Sequence, residues 1–175
     1  MPFGELTEYS DTQLKFKLDS NVNAICEIYN ISTQNCTYIP DYYFEQSLIQ
    51  LGYDNIMDNF VLTSNIDHIE SLVVNSYNIY NLTGIEDFTA LTSLHCIDNQ
   101  LTSLDVSNNT NLTELACSYN QLTSLDLRNG NNTNMYAFYS NNNPYLTCIS
   151  VDDAAWSTTN WWNIDAQSYF SEDCN

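Results

Sequence analysis

Apolar residues recur along the middle of the chain on one long, fixed period. In LTSLHCIDNQLTSLDVSNNTN (91–111) and LTELACSYNQLTSLDLRNGNN (112–132), Leu91, Leu94, Cys96, Asn99, Leu101, Leu104 and Val106 fall on Leu112, Leu115, Cys117, Asn120, Leu122, Leu125 and Leu127, a shift of 21 at every position. Met135, Phe138, Ser140 and Asn143 carry the frame forward across a two-residue insertion in NGNN, and Leu146, Ile149 and Val151 complete that turn after Pro144. Stepping back by 22, Ile69, Leu72, Val74, Ile79 and Leu82 fit, with Tyr77 where the asparagine belongs. A period of this length marks a stacked solenoid, because one turn cannot bury its own apolar stripe. The Leu-x-[Leu/Cys] alternation makes a short strand with two side chains inward. Parallel strands are expected at 71–75, 93–97, 114–118 and 137–141. Asn99 and Asn120 stand where the chain must leave the strand, where a buried amide can bond the backbone of the adjacent turn. So much Asn and Thr on this period does not suit paired helices.

The flanks break the pattern. In TYIPDYYFEQSLIQLGYDN, Pro40 and Asp41 open a helix with Phe44, Leu48 and Leu51 on one face, and Gly52 ends it. That helix would cover the open N-terminal end of the repeats. At the other end Trp156, Trp161, Trp162 and Phe170 lie between Cys148 and Cys174, and bulky rings there can plug the last core layer. Residues 1–37 read as a β-hairpin: Leu14, Phe16, Leu18 and then Ala24, Cys26, Ile28 alternate around Asp-Ser-Asn. The expected organisation is 1–37 as this extension, 38–60 as helical cap and loop, 61–151 as repeats and 152–175 as C-terminal cap.

The L-x-x-L-x-C-x-x-N-x-L frame resembles a leucine-rich repeat. LTGIEDFTALTSL (82–94), with Leu82, Ile85, Phe88, Leu91 and Leu94 at three-residue steps, is similar to the bacterial internalin type. The LTSLDVSNNTNLTEL text resembles surface leucine-rich-repeat proteins of the Bacteroidota. The resemblance covers roughly residues 38–174. It implies an α/β solenoid of about four to five rungs with a short parallel sheet, a C-terminal cap, and a binding rather than a catalytic role.

Charge and composition narrow the partners. Twenty-two Asp and Glu face three Lys and Arg, for a net charge of −19. Such a chain cannot neutralise a phosphate backbone or dock on anionic lipid, so nucleic acid is excluded and no apolar run inserts in a membrane. No basic stretch followed by an apolar one opens the sequence, so Met1 is expected to start either a cytosolic protein or a piece of a larger, processed one. Its 25 asparagines make the six N-x-[ST] sequons, at Asn30, Asn35, Asn81, Asn108, Asn111 and Asn131, first a matter of composition.

Catalytic signatures are missing. Two histidines, four glycines and no G-x-S-x-G, phosphate loop or H-E-x-x-H leave no enzyme to assign and no cofactor to expect. No cysteine stands in a C-x-x-C, so a zinc site is not expected. Asp54, Asp58 and Asn59 offer hard oxygens, and Asp105 and Asp126 stack opposite the strand sheet. Neither set matches a calcium loop, and no specific metal site is expected. The cysteines are expected to pair as Cys26–Cys36 and Cys148–Cys174, as in secreted proteins, with Cys96 and Cys117 as buried thiols.

Binding is expected on the outward strand positions: Ser71, Val73, Asn75; Ser93, His95, Ile97; Glu114, Ala116, Ser118; Ala137, Tyr139, Asn141. His95, Glu114, Tyr119, Tyr139 and Asn141 are the large or polar groups projected there. The expected role is a non-enzymatic, extracellular or cell-surface module that binds a protein or glycan. A subunit that self-associates into a fibre or coat through residues 1–37, and an accessory domain of a larger surface enzyme, are the alternatives.

Overall fold

The structure, a computed structural model, describes residues 36–174. The expected hairpin and the Cys26–Cys36 pairing involve residues outside that stretch.

The first described elements are β1 (Cys36–Tyr38), α1 (Tyr42–Gln50) and β2 (Phe60–Leu62), with β1 and β2 antiparallel. Then β3 (Ser71–Val73), β4 (Ser93–His95), β5 (Ser103–Asp105), β6 (Glu114–Ala116), β7 (Ser124–Asp126), β8 (Ala137–Tyr139), β9 (Cys148–Ser150), α2 (Ala154–Asn160) and β10 (Tyr169–Ser171) follow. They build two parallel sheets, one in the order β3-β4-β6-β8 and the other β5-β7-β9-β10. Sheet register follows the repeat: Leu72, Leu94, Leu115 and Phe138 are aligned, as are Leu104, Leu125 and Ile149.

Two differences from expectation stand out. The strands of the first sheet are three residues long, not five, because Asp98, Tyr119 and Asn142 adopt left-handed backbone (φ 57°, 58° and 62°) and turn the chain just before each asparagine. A second sheet was not expected. Its rungs carry a second Leu-x-Val or Leu-x-Leu alternation, Leu104-x-Val106 and Leu125-x-Leu127, with both apolar residues buried.

Both alternations feed one continuous core of Leu, Ile, Val, Phe and the two free cysteines. Between the strands runs an asparagine ladder. The Asn120 side chain accepts the Leu101 N–H at 3.0 Å and donates to Cys96 O and Cys117 O, each at 3.0 Å. Asn99 accepts from Tyr77 N–H and Ile79 N–H, and Asn143 accepts from Leu122 N–H. Each amide thereby ties its own turn to the preceding rung.

Helix α1 begins at Asp41, whose Oδ1 accepts the Tyr43 and Phe44 N–H groups at 2.9 Å. Phe44 and Leu48 are buried, and the Phe44 ring stacks 6.3 Å from Phe88. Leu51, expected on the same face, is instead exposed at the helix end, and Gly52 (φ 82°) follows it. At the C-terminal end Trp161 and Phe170 join the core against Phe138, at 4.8 and 6.1 Å between ring centres. Trp162 does not plug this layer; it is 78% exposed. A Cys148–Cys174 disulfide closes the segment.

Candidate binding surface

The first sheet presents two outward rows. One runs Ser71, Ser93, Glu114, Ala137; the other runs Val73, His95, Ala116, Tyr139. A backbone bridge from Tyr139 to Asn163 extends the sheet past its last strand, and Asn163 O accepts the Ser140 N–H at 2.9 Å.

Glu114 is the hub. His95 Nε2 lies 3.1 Å from Glu114 Oε1, while Ser93 Oγ and Tyr136 Oη donate to Oε2 at 3.0 and 3.1 Å. Burial alone pushes this carboxyl up. The hydrogen bonds from Ser93 and Tyr136 and the attraction of the adjacent His95 ring outweigh it and hold the group below the ordinary carboxylate range. A carboxylate held by two hydrogen bonds beside an imidazole is a pre-oriented acceptor for an N–H or O–H donor.

Ala116 departs from expectation. Strand parity sets it outward and available, yet it is buried between His95 and Tyr139, the larger side chains on either side of it in register. The two larger side chains close over the small one between them. Ser118 is buried too, because its Oγ donates to Asn141 Oδ1 at 2.8 Å. Asn141 therefore fixes a turn as well as facing outward, and its backbone oxygen accepts the Tyr119 N–H. Tyr119 itself sits on the left-handed turn beyond β6, 57% exposed, off the strand rows. The structure thus brings His95, Glu114 and Tyr139 onto one face and places Tyr119 and Asn141 at its margin. Sequence reading missed Tyr136, whose bond to Glu114 spans 22 residues across the NGNN insertion, and the exposed Trp162.

Other sequence candidates lie apart from this face. Asp105 and Asp126 are paired in the second sheet, where Asp126 also holds Arg128. Asp54 and Asp58 are buried beneath α1 near Glu45, which accepts the Asp58 and Asn59 N–H groups. Among the described residues no group of three or more His, Cys, Asp or Glu is arranged to hold a metal ion, and no helix is long and apolar enough to cross a membrane.

Stacked parallel rungs, inward Leu and Cys, and an asparagine at the turns of three successive rungs define a leucine-rich-repeat solenoid. No protein-family model matches the chain, and no curated protein matches it in sequence. Among solved structures it is similar to the functional domain of InlJ from Listeria monocytogenes, described as including a cysteine ladder. The identity is 30% and the TM-score 0.52, over 66% of this chain and 28% of that one. It is also similar to the internalin InlF of the same species, at 20% identity and a TM-score of 0.55, over 80% of this chain and 46% of that one. The chain spans less than half the length of either protein, and its fold is internalin-like.

Proposed function

We propose that this chain is a surface or secreted binding module without enzymatic activity, and that it engages a protein partner through the outward face of its first sheet. The observation that carries this reading is the His95–Ala116–Tyr139 row beside the Glu114 network: two large side chains flanking a buried alanine, next to an oriented carboxylate. Tyrosine supplies contact area at low entropy cost, and such anchors concentrate binding energy. The internalin-like fold and the intramolecular disulfide support an extracellular setting. Glu114 is the one carboxylate among the outward positions of the strip, which suits a protein surface with a donor opposite it. Glycan recognition is the second ligand class to test.

The test is a comparison of the native chain with the His95→Ala/Tyr139→Ala variant on arrays of purified extracellular protein domains and of glycans. Neither side chain supports the core, so the variant should melt as the native chain does. Each substitution is expected to weaken a hit by about 1–2 kcal/mol, the usual range for a good interface anchor. Hits that the variant retains in full would remove this face from the binding role, and hits confined to the glycan array would change the partner class.

A further inference from the structure

Among the described residues the second sheet ends at β5, where the repeat would place another strand. Rung-to-rung pairing there begins normally: Gln100 N–H donates to Ile79 O at 2.8 Å, as Gln121 N–H does to Leu101 O at 3.0 Å. The paths then separate. Thr83 and Gly84 (φ 101°) turn the chain into a short 3-10 helix, Ile85–Asp87, where the next rung continues as β5. β5 is therefore the edge strand. Its bonds to β7 run through Thr102 O, which accepts the Thr123 N–H, and Val106 N–H, which donates to Asp126 O. Strand backbone groups alternate sides, so those of Ser103 and Asp105 face away from β7.

They face a cavity. A groove of about 300 Å³ lies between Ser103–Asp105 on one wall and Asn81–Thr83, Ile85 and Glu86 on the other. That volume is at the lower end of ligand pockets, about 300–1,000 Å³. The far wall is fixed rather than adaptable: Asn81 Oδ1 accepts both the N–H and the Oγ–H of Thr83 at 2.7 Å. Two carboxylates rim the groove. Glu86 Oε2 accepts the Gly84 N–H at 2.8 Å and Asp105 Oδ1 accepts the Ser107 N–H at 2.9 Å, each bond using one oxygen of its carboxylate.

We infer that this groove is a second binding site, separate from the strip on the first sheet, and that it takes an extended peptide of a protein partner carrying lysine or arginine at alternate positions. The peptide adds a strand to β5, its backbone meeting the outward groups of Ser103 and Asp105. Outward residues of an added strand lie about 4.5–5.5 Å from their cross-strand neighbours, which sets a cation beside Asp105 with Glu86 across the groove. The net charge of −19 favours the approach of a basic segment.

The test uses the full chain and a blocked synthetic peptide of alternating lysine and valine, titrated calorimetrically at about 0.15 M salt, where charges beyond about 8 Å are largely screened. Saturable one-to-one binding is expected. Glu86→Gln/Asp105→Asn, which keeps both backbone-accepting oxygens, should weaken it at least fivefold. A peptide N-methylated at the amides that face β5, or carrying glutamine for lysine, should lose binding to the native chain. The site is refuted if no saturable binding occurs or if the N-methylated peptide binds as well. It is equally refuted if Glu70→Gln/Asp173→Asn, away from the groove, weakens binding as much as the groove variant, since bulk charge then explains the attraction.

Discussion

Asp41 Oδ2 accepts the Tyr80 N–H at 2.8 Å, joining the start of helix α1 to a rung 39 residues further on. The same oxygen takes the Asn81 N–H at 3.0 Å, and Oδ1 holds the Tyr43 and Phe44 N–H groups. One buried carboxylate thus serves four backbone donors across two elements. Asparagine at this position has one oxygen and cannot serve both. Asp41→Asn should cost about 1–2 kcal/mol and Asp41→Ala about 3 kcal/mol, read from urea midpoints, since orphaned buried donors and a lost cap each cost about 1–3 and 0.5–2 kcal/mol.

The asparagine ladder is the second point of leverage. Replacing Asn120 with Leu adds apolar volume but orphans the Leu101 N–H, while Cys96 O and Cys117 O each lose one of two amide donors and keep Asn99 and Asn143. We expect Asn120→Leu to lose about 1–3 kcal/mol despite its hydrophobicity, the cost of one buried donor left without a partner. Amide exchange at Leu101 should rise well beyond that of the native chain. A neutral effect would mean the ladder is dispensable once the rungs are packed.

These two aspartate and asparagine sites differ in how far the sequence reveals them. Asn99 and Asn120 repeat at a fixed spacing beside Cys96 and Cys117, so their place at the turns and their bonding to adjacent rungs follow from the period alone. Asp41 reads as a helix opener, but its grip on Tyr80 links segments no repeat relates. The second sheet was missed for a similar reason. Its strands β5 and β7 read Ser-Leu-Asp, where aspartate is a poor strand former, and only inter-rung packing makes them strands. Within the candidate site, His95, Glu114 and Tyr139 follow from strand parity. Tyr136 does not, because the inserted residues shift its phase, and the burial of Ala116 depends on the size of its neighbours rather than on its own identity.

The carboxylates under α1 set a pH dependence. Burial pushes Glu45 above its ordinary 4.5 against the opposing Asp58 and Asn59 N–H bonds, and the nearby Asp58 and Asp54 charges add to the rise. Burial likewise pushes Asp54 above 3.8. A carboxyl raised in the folded state favours the fold when protonated, so stability increases as pH falls through its folded value and levels off below the ordinary one. Glu114 and Asp126, held low, act oppositely, and their contributions disappear on further acidification through their folded values. Stability should therefore peak on the acid side of neutrality. Glu45→Gln keeps an Oε1 to accept both N–H groups and removes the charge. It should be more stable than the native chain at neutral pH, with the gap closing as pH approaches 4.5.

Thiol chemistry separates the core from the C-terminal segment. Burial pushes Cys96 up to about 12, and it raises Cys117 well above the ordinary 9.0, with the neighbouring Cys96 adding to the rise. The thiolate is the reactive form, and at pH 8 about one Cys96 in ten thousand would carry it even if reagent could enter. Cys148 and Cys174 are half-buried at the surface and close a loop with a sequence separation of 26. Mild reduction followed by alkylation and peptide mass spectrometry should label Cys148 and Cys174 while Cys96 and Cys117 stay unmodified until denaturant is added. Reduction should also remove about 3–4 kcal/mol, the chain-entropy value for a loop of this length. It should shift the tryptophan emission to the red as the segment holding Trp161 and Phe170 loosens from Phe138. Labelling of Cys96 or Cys117 before Cys148 would show that the rungs open more readily than the end that closes them.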